Sequence, residues 1–181
     1  MGRKYKIRDQ EGLYFVTFTI VHWLDVFVRD DYKQIFVDSL NYCQDKKGLE
    51  VYAWVIMTSH VHLILRSNGN LSDTIRDMKS HTSLALRKCI QDNPRESRKE
   101  FLLWMFERTA KKNKRNTKYQ VWQQHNHPIE LSTKEMVDQR LNYIHNNPVE
   151  AGFVLEAESW HWGSARDYIK EEKGYVDLCF V

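Results

Sequence analysis

The sequence has only three cysteines, Cys43, Cys89 and Cys179, widely separated and odd in number. That scarcity argues against a disulfide framework and against a thiolate zinc site, and it fits reduced thiols in a cytoplasm. Long apolar runs are missing too, since no stretch approaches the roughly 20 residues of a membrane span. Met1-Gly2-Arg3-Lys4-Tyr5-Lys6-Ile7-Arg8 leads into Asp9-Gln10-Glu11-Gly12 without the apolar centre of a signal peptide. Lys6 stands where a myristoylation signal needs Ser or Thr. Internal repeats and low-complexity stretches are absent. These gaps lead to the expectation of a cytoplasmic protein with no membrane partner.

A strong charge imbalance is also lacking. The net charge is +3 and the pI about 8.7, which alone does not identify a nucleic-acid binder. The distribution says more. Residues 108–118 hold Arg108, Lys111, Lys112, Lys114, Arg115 and Lys118 with no acid among them. Such a run is either a solvated loop or a phosphate-binding segment. The length of 181 residues fits one domain spanning 1–181, with a core over 14–152, a basic insert over about 91–118 and a tail over 153–181.

Residues 14–20 are β-branched and aromatic, which predicts a strand. Tyr32, Ile35, Phe36, Leu40 and Cys43 recur at helical spacing over 31–46, and Gly48 is a fitting stop. Residues 50–57 are nearly all apolar, a central strand, and 60–66 is its antiparallel partner after the Thr58-Ser59 turn. A helix capped by Asn70 runs to just before Pro94. Residues 119–124 alternate as a fourth strand. Ser132-Thr133-Lys134-Glu135 reads as a capping box for a last helix with the core stripe Val137, Leu141 and Ile144, closed by Asn147-Pro148, with Pro148 able to start one further turn ended by Gly152. The order βαββαβ predicts an α+β, ferredoxin-like antiparallel four-stranded sheet with its two helices on one face, followed by the last helix and an aromatic tail. The face opposite the helices is expected to be free.

His60-Val61-His62 stands at the start of the third strand. Alternation puts both imidazoles on one face and Val61, Leu63 and Leu65 on the other, against the core. Paired imidazoles on rigid backbone suit a divalent metal, although surface or core histidines are commoner at this spacing. On the last helix, Met136, Arg140, Tyr143 and Asn147 share a mostly polar face beside the core stripe. A tyrosine hydroxyl is a poor nucleophile until a metal or base assists it. An amide oxygen is a sensible third ligand for Mg²⁺ or Mn²⁺.

His60-Val61-His62 together with Tyr143-Ile144-His145-Asn146-Asn147-Pro148-Val149-Glu150-Ala151-Gly152 resembles the HUH single-tyrosine transposases, the insertion-sequence (IS) 200-like family. The resemblance is closest to the REP-associated tyrosine transposase branch. It also includes Met57-Thr58-Ser59 and the tail Ser159-Trp160-His161-Trp162-Gly163-Ser164, and it runs from about Tyr14 to Tyr168. It implies an enzyme that cleaves and rejoins single-stranded DNA at hairpin-forming imperfect palindromes. Tyr143 would be the nucleophile, through a 5′-phosphotyrosine. His60, His62 and Asn147 would hold Mg²⁺ or Mn²⁺, with His145 as a fallback ligand. Arg66, Lys111, Lys112, Lys114, Arg115 and Arg140 are the candidate DNA contacts. Relatives act as monomers or homodimers, and a bacterial, nucleoid-associated location follows. Relatives commonly carry Ser where Gly163 stands here. The competing readings are a domesticated hairpin-binding protein of the same fold with weak or no catalysis, and a rolling-circle or relaxase-type nuclease.

Overall fold

A computed structural model describes residues 7–112 and 118–180. Strand β1 (Tyr14–Thr19) is followed by helix α1 (Asp30–Lys47), strands β2 (Leu49–Ile56) and β3 (His60–Ser67), and helices α2 (Leu71–Asp92) and α3 (Lys99–Lys111). Strand β4 (Ile129–Glu130), helix α4 (Lys134–Glu150) and the short helix α5 (Ala165–Lys170) complete the described strands and α-helices. The sheet order is β2-β3-β1-β4, with every pair antiparallel, as the ferredoxin-like expectation requires.

Alternation divides the strands between two cores. Val61, Leu63 and Leu65 of β3 join Tyr14, Val16 and Phe18 of β1 in a cluster with Phe36, Leu40, Ile75, Met78 and Leu86 from α1 and α2. The opposite face is not free. Phe15, Ala53, Val55 and Ile64 meet Val137 and Ile144 of α4 in a second cluster. The α4 stripe that the sequence suggested therefore lies on the same face as the histidines. This explains why His62 is only 6% exposed.

The fourth strand also differs from expectation. Around residues 119–124 only an isolated bridge forms, between Ile20 and Trp122, supported by Val21 N–H to Val121 O and Gln123 N–H to Thr19 O, 2.9 and 2.8 Å. The two-residue β4 pairs with Tyr14 and Phe15 after Pro128. The apolar patch of the insert is the inner face of α3, which buries Leu102, Phe106 and Ala110.

Helix α4 starts one residue later than the capping box suggested. Thr133 is the N-cap, and its hydroxyl accepts from Met136 N–H at 3.3 Å. The helix does not close at Asn147-Pro148, because Pro148 lies inside it and the run continues to Glu150. Tyr143 and Asn147 thus remain one turn apart on one face. The tail adds to the outer edge of β2 through Ile56 N–H to Trp162 O and Ser164 N–H to Trp54 O, 2.8 and 2.9 Å. Gly163 sits where that approach is tightest, since a Cβ there would meet Trp54 O at 3.2 Å. The neighbouring Ser164 supplies the tail hydroxyl, accepting from Trp54 N–H at 3.0 Å and meeting His145 Nε2 at 3.1 Å.

Candidate active site

The β1–β3 register sets Thr17 opposite His62 and Thr19 opposite His60. The two imidazole rings stand 4.7 Å apart. Each has its Nδ1 beside a hydroxyl: Thr17 Oγ1 at 2.9 Å from His62 and Ser59 Oγ at 3.2 Å from His60. A hydroxyl at Nδ1 leaves Nε2 as the working atom, the usual way a ligating histidine is oriented. Phe15 stacks on His62 with ring centroids 5.3 Å apart and fixes its plane.

Helix α4 delivers Tyr143 to this pair. Its hydroxyl lies 3.4 Å from His62 Nε2, and its ring meets those of His62 and Phe15 at 5.1 and 5.9 Å. Arg140, one turn earlier, lies over Phe15 and reaches the edge of Tyr143, 4.9 and 6.0 Å from the ring centroids. Asn147, one turn later, is half-buried, and its side chain forms no hydrogen bond to either imidazole. His145 points the other way, onto Ser164 and the ring of Tyr168 at 5.0 Å, so the fallback ligand is engaged elsewhere.

Burial pushes His60 below its ordinary value near 6.5. Burial, then His60 and Arg140, push His62 down to about 3. Neutral imidazoles are what a metal needs from its ligands. Among the described residues no group of three or more His, Cys, Asp and Glu side chains could hold a metal. The donors this arrangement could offer a divalent cation are the two Nε2 atoms and an amide or hydroxyl oxygen from the Tyr143–Asn147 face, which would leave open positions.

Burial also lowers His145 to about 4. Folding keeps all three imidazoles neutral, whereas the unfolded chain binds protons below about 6.5. Stability present above that value is lost as pH falls toward the folded values. Urea unfolding is expected to show a midpoint that drops between about pH 7 and pH 5, and less steeply in His145→Gln. A midpoint flat over that range would contradict it.

The other sequence candidates are dispersed. Arg66 lies on the histidine face at the far end of β3, but its guanidinium is held by Glu50, with Nε 3.0 Å from Oε2. Lys111 and Lys112 are exposed at the end of α3. Lys114 and Arg115 lie outside the described residues. His125 and His127 are exposed, with rings 6.2 Å apart. Trp160 and Trp162 are packing residues: Trp160 Nε1 donates to Ile56 O, and Trp162 stacks on Tyr175.

The sequence reading did not single out Thr17, Ser59 or Phe15 as site residues: Thr17 and Phe15 reach His62 only through register, and Ser59 reads as a turn residue before β3. It also missed a cleft of about 550 Å³ between α2 and residues 118–124, whose charged lining is Lys79, Arg87 and Lys118 without an acid. Lys79 Nζ turns inward there onto Gln123 O at 2.7 Å, and Arg87 and Lys118 flank the Tyr119 ring.

In the solved structure of a REP-associated tyrosine transposase bound to a REP hairpin, the fold matches with a TM-score of 0.67 over 99% of this chain and 92% of that one, at 16% identity. At that identity the likeness is one of fold. A candidate transposase from Deinococcus radiodurans matches over 81% of this chain and 95% of its own, with 19% identity and a TM-score of 0.45. No curated protein matches the chain. Residues 19–107 match the family described as transposase IS200 like, a span that includes both histidines and ends before Tyr143. Over those residues, just under half of the chain, this protein is similar to the insertion-sequence (IS) 200-like transposases.

Proposed function

We propose that this protein cleaves and rejoins single-stranded DNA at hairpin-forming sites, with Tyr143 as the nucleophile and a divalent metal held by His60 and His62. The observation that carries the reading is the 3.4 Å approach of the Tyr143 hydroxyl to His62 Nε2, from elements 81 residues apart in sequence. Neither packing nor helix formation requires a tyrosine at that spot, since it is 37% exposed at the edge of the second core.

The chemistry follows from the atoms. Tyr143 Oη attacks the phosphorus of a phosphodiester, and the P–O3′ bond breaks. The phenol gives up its proton and the leaving 3′ oxygen takes one, so no net proton is consumed. The 5′ phosphate stays on Tyr143, and the phosphodiester energy is kept in that bond. A 3′-hydroxyl from another DNA end can reverse the attack, so joining needs no nucleotide cofactor. A bound Mg²⁺ or Mn²⁺ would polarise the phosphoryl oxygen and stabilise developing charge. Thr17 and Ser59, at the two Nδ1 atoms, would leave each Nε2 free to hold the metal. Phe15 keeps the His62 plane fixed. Arg140, whose guanidinium lies near the Tyr143 ring, would donate to a phosphate oxygen. Asn147, on the same helix face, is the third donor that best fits the set.

The hairpin substrate is supported by the fold shared with a hairpin-bound transposase and by the acid-free lining of the α2 cleft, suited to a phosphate backbone. The test uses inverted repeats that flank the gene, made as hairpin oligonucleotides with a single-stranded arm. A covalent protein–DNA species is expected with Mn²⁺ or Mg²⁺ and not with excess chelator. Hairpin binding without any covalent species across metals would favour the domesticated, non-catalytic reading.

A further inference from the structure

Trp23 lies beside the candidate site in a turn, Val21–Trp23, that the catalytic reading does not use. Its side chain is 59% exposed, unusual for the largest apolar residue. Its backbone is left-handed, as is that of His22, each with φ of 56°. Two consecutive non-glycine residues in that region are costly, and such strain persists where the surroundings impose it and function uses it. Burial does not offset it here, because so much of the indole is in solvent.

The surroundings impose it firmly. Ile20 N–H donates to Ser59 O at 2.9 Å and Phe27 N–H to Thr58 O at 2.8 Å, so both ends of the loop are tied to the turn that precedes His60. Trp23 N–H donates to Ile20 O at 3.1 Å. His22 Nε2 meets Thr109 Oγ1 of α3 at 2.9 Å. The indole is thereby fixed against His60, with ring centroids 5.3 Å apart and planes inclined by 70°. The rings meet edge to face and do not stack, and with Trp23 more than half exposed much of the indole surface stays open to solvent.

We propose that Trp23, braced by His60, is a nucleobase-binding platform that stacks an unpaired base of single-stranded DNA next to the phosphodiester at His60, His62 and Tyr143. The identity of the ligand rests on the proposed function. The chemistry of the surface supports it independently: an open π face recognises any base, and only an unpaired base has a free face to offer. Stacking one base on a rigid platform would fix the position of the neighbouring phosphate relative to Tyr143 Oη.

The test reads binding, not cleavage. A short oligothymidylate is compared with an abasic phosphodiester strand of the same length, so that charge is equal and only the bases differ. The wild-type protein is expected to prefer the base-bearing strand by about tenfold. Trp23→Ala is expected to lose that preference, Trp23→Phe to keep most of it, and Trp104→Ala, an exposed aromatic on α3, to leave it intact. Trp23→Gly relieves the left-handed strain, so its melting temperature should hold or rise while the preference disappears. A wild-type protein indifferent to the bases, or a Trp23→Ala variant that still discriminates, would overturn the proposal. So would a Trp23→Gly variant that melts several degrees lower, the mark of a structural residue. A covalent adduct that fails to form would overturn the proposed function and leave this result standing.

Discussion

Tyr143→Phe is expected to abolish covalent attachment and strand cleavage while leaving hairpin affinity and the fold unchanged. The substitution deletes one oxygen. Among the described residues that oxygen has one polar neighbour, His62 Nε2 at 3.4 Å, too long and too exposed a contact to carry much stability. Its loss should cost less than about 1 kcal/mol of folding free energy. The ring keeps its contacts with Phe15 and His62. Activity should fall by on the order of 10⁴-fold or more, as removal of a nucleophile does elsewhere. Gel analysis of the protein–DNA adduct, with melting temperature and hairpin binding measured alongside, separates these effects. Cleavage at an unchanged rate in Tyr143→Phe would assign the nucleophile to another group.

The second large effect is expected from the histidine pair. His60→Ala combined with His62→Ala should lower metal-supported cleavage by at least about 10³-fold, because several kcal/mol of charge stabilisation is lost. Graded variants give the claim its resolution. Thr17→Val removes the hydroxyl at His62 Nδ1, keeps the shape of the strand residue, and is expected to lower activity by about 10–100-fold, the usual effect of losing an orienting partner. Asn147→Ala should fall in the same range if its amide is the third donor. His145→Ala should cleave at nearly the wild-type rate, since its ring is committed to Ser164 and Tyr168. Cleavage rates titrated with Mn²⁺ distinguish weakened metal affinity from a lost chemical step. A His145→Ala variant as inactive as the double histidine variant would overturn this assignment.

Much of this architecture could be read from residue order, and what could not has a physical cause. Helix α2 and the hairpin of β2 and β3 are strongly periodic and well capped, and they lie within a residue or two of where pattern places them. The face carrying His60 and His62 followed from Val61, Leu63 and Leu65 alone. The claim that this face is free did not survive, although the clue was present. β2 is apolar on both faces, which means cover on both sides, and α4 supplies the second cover. The real β4 has two residues and follows Pro128, too short to carry any alternation. Residues 119–124 do alternate, but β1 ends at Thr19 and only one bridge can form beyond it. The junction of His62 with Tyr143 was inferred by resemblance, and the fold brings the two together. The groups that orient the imidazoles were invisible: a threonine in a strand reads as a β-former until register sets it opposite a histidine. Trp23 gave no signal, because strain is a property of backbone angles and not of residue order.

In the proposed reaction one residue, Tyr143, becomes joined to the 5′ side of a cut DNA strand. Its most direct test is mass spectrometry of the proteolysed adduct formed with a hairpin oligonucleotide and Mn²⁺. A single modified peptide is expected, bearing a 5′-linked phosphonucleotide on Tyr143, with a released strand ending in 3′-hydroxyl. A nucleotide attached to any other residue, or a linkage through a 3′ phosphate, would contradict it.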